Sequence, residues 1–164
     1  MPATYEPIST QTLGTATASV TFSSIPATYT DLVLVCVATR SAAPDGGYFS
    51  IRYNSDTATN YSSTLLYGDG TSAVSSRATS ETSGRVGNAS LSNNQPTIVH
   101  IMNYANTTTY KTSISRSNVS NSYVLSYCTL WRKTPEAISS LTLLNDTGNF
   151  NTGSTFTLYG IKAA

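Results

Sequence analysis

The chain has 164 residues and a mass of 17.4 kDa, which is typical of a single domain. Charged residues make up only 10% and the formal net charge is +1, so we expect no nucleic-acid partner held through its phosphates. No window approaches the roughly 18 apolar residues of a membrane helix, and residues 1–6 lack the charged start and apolar stretch of a signal peptide, so neither segment is predicted.

Apolar and hydroxylic side chains alternate along the chain, and this period of two predicts β-strands. The first candidate lies around Val20 and Phe22. The second, at 32–38, is apolar on both faces and is therefore predicted to be a central strand covered on both sides. The later candidates have the same alternation or a run of β-formers: 48–53, 63–67, 98–104, 110–116, 123–131, 138–144 and 155–161.

Short stretches rich in Gly, Pro, Asn and Asp separate these candidates, as at 41–47, 93–96 and 145–148. Such spacing predicts an all-β fold: one antiparallel β-sandwich domain of jelly-roll-like form. Serine and threonine, 52 residues in all, disfavour long helices throughout. The stretch 71–88 is small, polar and nearly free of apolar residues, which predicts a long loop.

The N-terminal residues differ from the rest of the chain. Pro2 and Pro7 disfavour helix and leave the backbone extended. We therefore predict an extended N-terminal arm over residues 1–11 and a β-sandwich domain over 12–164. Such an arm can add a strand to the exposed edge of another sheet.

Catalytic chemistry has little support in the sequence. The single histidine, His100, lies between Ile98 and Met102 on one face of an apolar strand and is expected to be neutral and hydrogen-bonded in or near the core. Eight carboxylates are present, and those in turns are expected to bond the local backbone: Asp45, Asp56, Asp69 and Asp146. We predict no catalytic residue, no cofactor and no enzymatic activity.

Metal binding is the other chemistry considered. Oxygen ligands from Asn54, Asp56, Asn60 and Asp69 would suit calcium, but their spacing does not match an EF-hand loop. One histidine and two distant cysteines do not form a zinc motif. No metal site is predicted.

Cys36 and Cys128 both fall within strong strand candidates. In the absence of a secretion signal, both are predicted to be reduced and buried, where a thiol behaves as a small apolar side chain. A bridge between two sheets is the alternative.

Tyrosine supplies 11 of the aromatic side chains, beside 4 Phe and 1 Trp. Because tyrosine is amphipathic, it suits strand edges, protein interfaces and sugar-stacking platforms, and the sequence leaves all three open. The candidate interface combines the N-terminal arm with selected aromatic residues: Pro2, Tyr5, Pro7, Ile8, Tyr48, Tyr61, Tyr67 and Trp131.

Two parts of the chain resemble small structural proteins of tailed bacteriophages. They are the opening, with TYEPI at 4–8 and SIPATYTDL at 24–32, and the closing strand GSTFTLYGI at 153–161. The resemblance implies a virion protein with a jelly-roll-like sandwich and no catalytic residues. Its most specific implication is a capsid decoration (cement) protein, made in the host cytoplasm, that sits as a homotrimer on the capsid surface and binds the major capsid protein. The alternative is a carbohydrate-binding module of a tail fibre, with a glycan as partner.

Overall fold

The computed structural model describes residues 4–42, 47–91, 94–119 and 123–162. In these ranges the regular structure consists of twelve β-strands, which confirms the all-β prediction. No helix in them has the length and apolarity to cross a membrane. The strands are β1 (Tyr5–Thr12), β2 (Ser19–Phe22), β3 (Asp31–Ala38), β4 (Gly47–Tyr53), β5 (Tyr61–Gly68), β6 (Ala73–Glu81), β7 (Gly84–Ala89), β8 (Gln95–Met102), β9 (Lys111–Val119), β10 (Tyr123–Trp131), β11 (Leu141–Asn145) and β12 (Thr155–Ile161).

The strands form two antiparallel sheets of unequal width. The larger sheet has eight strands in the order β1-β12-β3-β8-β9-β10-β5-β6, and the smaller has four in the order β2-β11-β4-β7. The inner faces of the two sheets bury a common core in which Leu34, Phe49, Ile51, Leu143 and Phe156 are fully inaccessible. The fold is therefore the predicted jelly-roll-like β-sandwich.

The smaller sheet covers only one face of the central strand β3. Leu32, Leu34 and Cys36 point into the core and are completely buried. On the opposite face Val33 is 8% exposed, whereas Val35 and Val37 are only half-buried. Cover of both faces was predicted from the apolar residues on both sides, and on the outward face this prediction holds for Val33 and is wrong for Val35 and Val37.

The N-terminal segment is extended, as the prolines predict, and it pairs with its own chain. β1 runs antiparallel to β12, with an irregularity between Pro7 and Ser9, and forms one edge of the larger sheet. Ile8 packs against the main core. Residues 1–3 of the predicted arm, including Pro2, lie outside the described ranges.

The polar stretch 71–88 is not a loop, which corrects the prediction. It contains β6 and most of β7. β6 is an edge strand with little burial on either face, so it carries no apolar alternation. In β7 the close approach of other strands selects glycine: a Cβ at Gly84 would lie 2.2 Å from Thr129 Cγ2.

The hairpin between β5 and β6 shows the local bonding expected of a turn aspartate. Both the N–H of Thr71 and the N–H of Ser72 donate to Asp69 Oδ1, at 2.8 and 2.7 Å. These backbone hydrogen bonds, with those of the two hydroxyls, lower the pKa of Asp69 from 3.8 to about 2. Gly70 supplies the positive φ of 90° that the turn requires.

Candidate functional site

The face of the larger sheet that points away from the smaller sheet, here called the outer face, carries a groove. Its main part has a volume of about 980 Å³ and lies across β8, β9, β10, β5 and β6. A second part of about 320 Å³ continues it towards β1 and β3. Both parts share Ile98, Arg116 and Ser126, so they form one continuous depression, the outer groove.

Strand pairing sets the order of side chains across the outer groove. Arg116 on β9 lies opposite Ile98 on β8 and Ser126 on β10. Ser126 lies opposite Leu66 on β5, which in turn faces Ser75 on β6. One row of side chains therefore crosses five strands, with Arg116 second in it, between Ile98 and Ser126.

Large apolar side chains are exposed on this face. Exposure reaches 66% for Val124, 58% for Leu66, 48% for Ile114 and 38% for Met102. Single exposed apolar residues are normal, but a contiguous apolar patch on a soluble protein marks an interaction surface. The arrangement is suited to excluding water from a partner's apolar side chains.

The outer face of the smaller sheet is different in character. Thr21 and Thr142 lie opposite each other there, and their hydroxyls are hydrogen-bonded at 2.9 Å. Arg52 is the next residue across that row. Hydroxylic and charged groups of this kind are well solvated, so the apolar character belongs to the larger sheet's outer face and not to β-strand surfaces in general.

His100 lies on the outer face and not in the core, because it alternates with the fully buried Val99 and Ile101. Its Nε2 is 2.9 Å from Asp31 Oδ2, and its side chain is 39% exposed. Asp31 Oδ1 also accepts the backbone N–H of Asn103 at 2.7 Å. The expected hydrogen bond is therefore present, whereas the expected burial is wrong.

The described residues do not bring other reactive groups to His100. The smaller part of the groove around it is lined about equally by apolar and polar side chains, and the hydroxyl of Ser126 donates to the carbonyl of Ser115 at 2.7 Å. Nowhere in the described ranges do three or more His, Cys, Asp or Glu side chains gather as a metal site would need.

Asp56, considered above as a calcium ligand, is used inside the protein. Its Oδ2 accepts the indole N–H of Trp131 at 2.7 Å and the amide of Asn60 at 2.9 Å, and its Oδ1 accepts the N–H of Ala58 at 3.0 Å. Burial alone would raise the pKa of Asp56, but these hydrogen bonds outweigh it and the pKa is lowered.

The side-chain amide of Asn54 also forms hydrogen bonds within the protein, to residues other than Asp56. Its Nδ2 donates to Glu136 Oε1 and to the carbonyl of Ala137, at 2.9 and 2.8 Å. Its Oδ1 accepts the N–H of Ser139 at 2.9 Å. These bonds connect the loop after β4 to the segment before β11, so the loop residues whose oxygens would suit calcium form hydrogen bonds within the chain.

The predicted interface residues do not come together in one place. Tyr5 is 56% exposed and lines the smaller part of the outer groove, whereas Pro7 is exposed on the same edge strand. Tyr67 borders the larger part of the groove. Tyr48 is half-buried with its ring edge against Tyr127, at a centroid distance of 6.4 Å.

Tyr61 and Trp131, two further interface candidates, belong to the core. Their exposed fractions are 0% and 2%, and their rings stack with 6.3 Å between centroids and 18° between planes. Neither ring forms part of the surface, so neither offers a platform for a sugar.

The sequence-based candidates do not include Leu66, Ile98, Ile114, Arg116 or Val124, which line the outer groove. A signal for this face is present in the sequence, since several strands carry apolar residues on both sides. That pattern is typical of strands that are buried on both faces.

The two cysteines differ in exposure. Cys36 is buried, and burial raises the pKa of its thiol. Cys128 is exposed on the outer face opposite Ile114, so the prediction of two buried cysteines is wrong for this residue. Cys128 alternates with Tyr127 and Thr129, which take the inward positions.

We expect one reactive thiol in the native protein and two after unfolding, because only exposed thiolates react readily. Titration with a coloured disulfide reagent, before and after adding denaturant, measures the number. The variant Cys128→Ser should show no native reaction and one thiol when unfolded. Rapid reaction of both thiols in the native state would contradict the placement of Cys36.

Comparison with known proteins assigns no family. No protein-family model and no curated protein matches the chain. Among solved structures, it is similar to the Caenorhabditis elegans galectin LEC-6, with 10% identity over 94% of this chain and 96% of the galectin, and a TM-score of 0.37. It is also similar to scytalido-glutamic peptidase in two complexes with transition-state analogues, with 11% and 12% identity, 91% of this chain and 66% of the peptidase covered, and TM-scores of 0.32 and 0.30. TM-scores at this level assign no activity or ligand to the chain.

Proposed function

We propose that this protein is a non-enzymatic structural component of a phage virion that binds another protein through the outer groove. The observation that supports the proposal is the contiguous apolar surface on the outer face, around Leu66, Ile98, Ile114 and Val124. In its most specific form, the protein is a capsid decoration protein and its partner is the major capsid protein, as the resemblance of its two ends implies.

The chemistry of the groove favours a protein partner. Protein interfaces have an apolar, water-excluding centre and a polar rim. The outer groove combines apolar and polar side chains in this way, with Leu66, Ile98 and Val124 beside Ser75, Asn118 and Ser126.

The scaffold beneath the groove is suited to binding without rearrangement. β9 and β10 pair with each other over nine residue pairs, and each has a further strand on its other side. Side chains on such strands are held before the partner arrives, which lowers the entropy lost on binding.

The carbohydrate-binding alternative has no comparable support. A sugar platform needs an exposed aromatic ring, and Trp131 and Tyr61 are both inside the protein. The most exposed tyrosines, Tyr110 and Tyr5, are 57% and 56% exposed. Tyr5 lies on β1, at one edge of the larger sheet. Tyr110 directly precedes β9, a strand in the middle of that sheet, so the two rings do not lie on neighbouring strands.

Mass spectrometry and electron microscopy of particles assembled from the genome that encodes this chain test the proposal. We expect the protein at a fixed ratio to the major capsid protein, with Cys128 protected from thiol reagents in the particle and reactive in the free protein. Leu66→Ser combined with Val124→Ser should reduce incorporation, while Thr142→Ala on the opposite sheet should not. A protein missing from particles would remove the virion role, and a fully reactive Cys128 in particles would place the contact elsewhere.

The homotrimer is a separate part of the proposal. Size-exclusion chromatography with light scattering measures the mass directly, and a trimer would have three times the 17.4 kDa of one chain. A monomer at every concentration would mean that the trimer forms only on the shell or not at all.

A further inference from the structure

We infer that the partner of the outer groove is an acidic, apolar protein segment whose carboxylates bind Arg116 and Arg77. This inference rests on the proposed function, since it assumes that the groove binds protein. It adds the chemistry of the partner, which the apolar surface alone does not define.

The negative charges of the described residues are engaged within the chain. Every carboxylate in the described ranges already has a partner within the chain. The pairs and acceptors are Glu6 with Lys162, Asp31 with His100, Asp56 with Trp131 and Asn60, Asp69 with Thr71 and Ser72, Glu81 with Arg85, Glu136 with Lys133, and Asp146 with Arg40.

Two arginines on the outer face have no carboxylate partner among the described residues. Arg116 and Arg77 are exposed, and their guanidinium groups form no ion pair or hydrogen bond with any other described residue. Arg40 and Arg85, by contrast, are each paired with a carboxylate at 3.2 and 2.6 Å. The outer face therefore carries positive charge that its own described residues do not compensate. A guanidinium matches a carboxylate by two parallel hydrogen bonds, which makes an acidic side chain the natural complement.

The position of Arg116 strengthens this argument. It stands among the apolar residues of the groove and not at a solvated rim, with Ile98 and Leu66 in the same row. A partner that covered these apolar residues would also remove water from Arg116. Leaving a charge unpaired in such a place is costly, so the partner must supply an anion there.

Strand geometry sets the spacing of the two carboxylates. Arg116 on β9 and Arg77 on β6 are separated by three strand spacings, with β10 and β5 between them. Arg77 is also two residues along β6 from Ser75, the residue in the row of Arg116. At about 4.8 Å between strands and about 3.4 Å per residue, the two positions are roughly 16 Å apart, which roughly five residues of extended chain span.

A second copy of this chain does not fit the groove. Two outer faces packed together would place four uncompensated arginines in one interface, because the described carboxylates are all engaged elsewhere. Like charges placed together in an interface are unfavourable. The occupant is therefore a different chain.

Selection from a display library of random 12-residue peptides tests the inference on the full-length protein. Wild type, Arg116→Gln and Arg132→Gln are the baits. Arg132 is the matched control, because it is exposed just beyond the end of β10 and has no carboxylate partner among the described residues. Wild type should select peptides in which apolar residues surround two acids about five residues apart.

Synthetic versions of the selected peptides give the magnitude. We expect equal affinity for wild type and Arg132→Gln, at least tenfold weaker binding to Arg116→Gln, and a loss of affinity with added salt. Unchanged burial of Cys36, measured by thiol reaction, verifies that Arg116→Gln is folded.

Selection of neutral or basic peptides, an empty selection, or undiminished binding to Arg116→Gln would overturn the inference. A lipid partner would overturn it as well. The protein would then bind no acidic peptide but would sediment with phosphatidylserine vesicles, and Arg116→Gln would abolish this sedimentation. The two proposals can fail separately. If the protein selects acidic peptides but is absent from particles, only the virion role is contradicted. If Arg116→Gln is incorporated into particles as well as wild type, only the acidic partner is contradicted.

Discussion

Replacement of Trp131 by alanine is expected to lower the free energy of unfolding by about 3–5 kcal/mol, the usual range for a large aromatic removed from a core. Trp131 is 2% exposed, stacks on Tyr61 and lies 5.5 Å from the ring of Tyr53. The substitution removes these contacts and leaves a cavity, and it takes away the indole donor to Asp56. Urea denaturation followed by far-ultraviolet circular dichroism measures the loss, because the fluorescence of the single tryptophan disappears with the substitution.

Two further variants serve as comparisons. Trp131→Phe keeps one aromatic ring but loses the indole donor to Asp56 and part of the packed volume, so its loss should be smaller than that of Trp131→Ala. Tyr110→Ala removes a ring that is 57% exposed and should change stability by less than about 0.5 kcal/mol. A Trp131→Ala variant that was as stable as wild type but failed to join particles would make Trp131 a contact residue after all.

Asp146→Asn is expected to cost about 2–3 kcal/mol, because it leaves the buried charge of Arg40 without its carboxylate. The Arg40 side chain is completely buried, and its Nη1 lies 3.2 Å from Asp146 Oδ1. Its Nη2 donates to the carbonyl of Thr147 at 3.0 Å. Breaking a buried pair from one side costs about 3–5 kcal/mol, and the 32% exposure of Asp146 places this case below that range.

The matched control is Glu6→Gln, which breaks the ion pair of Glu6 with Lys162 at 2.8 Å. Both of those side chains are substantially exposed, so water replaces the lost partner and little stability should be lost. Added salt should weaken the Glu6 pair and leave the Arg40 pair almost unchanged. Equal losses from the two substitutions in urea denaturation would mean that Arg40 is hydrated in the native state.

The close packing around Arg40 also explains a residue choice in β4. A Cβ on Gly47 would lie 1.3 Å from Arg40 Nη1 and 2.3 Å from its Cζ. The strand can run past the guanidinium only because this position has no side chain. The pair of Arg40 with Asp146 thus holds the start of β4 against the turn after β11.

The unequal widths of the sheets connect the fold to the proposed function. Four strands cannot cover eight, and the smaller sheet packs on only one face of the larger. The other face keeps its apolar side chains, including Ile114 and Val124, in contact with water. Apolar area left exposed in this way is stabilised when a partner covers it, at about 25 cal/mol per Å² before the costs of association are subtracted.

Most of the strands could be predicted from the sequence alone. The pleat of a strand puts successive side chains on opposite faces, so apolar and polar residues alternate along a strand with one buried face. The bounds of β10 (Tyr123–Trp131) and β12 (Thr155–Ile161) agree with prediction for this reason. β6 and β7 could not be predicted from this pattern. β6 is an exposed edge strand, so neither of its faces needs apolar residues, and the glycines of β7 allow close packing without adding apolar side chains to the pattern.

Only the tertiary structure decided which face of each strand is covered. β3 carries apolar residues on both sides, and a period of two cannot distinguish the side that packs on the second sheet from the side that does not. The same limit applies to His100, Cys128 and Trp131, whose exposure follows from strand pairing across the sheet. The placement of Arg116 on one face with Leu66 and Arg77 likewise depends on the order β9-β10-β5-β6, in which the pairing of β10 with β5 joins two distant stretches of the chain.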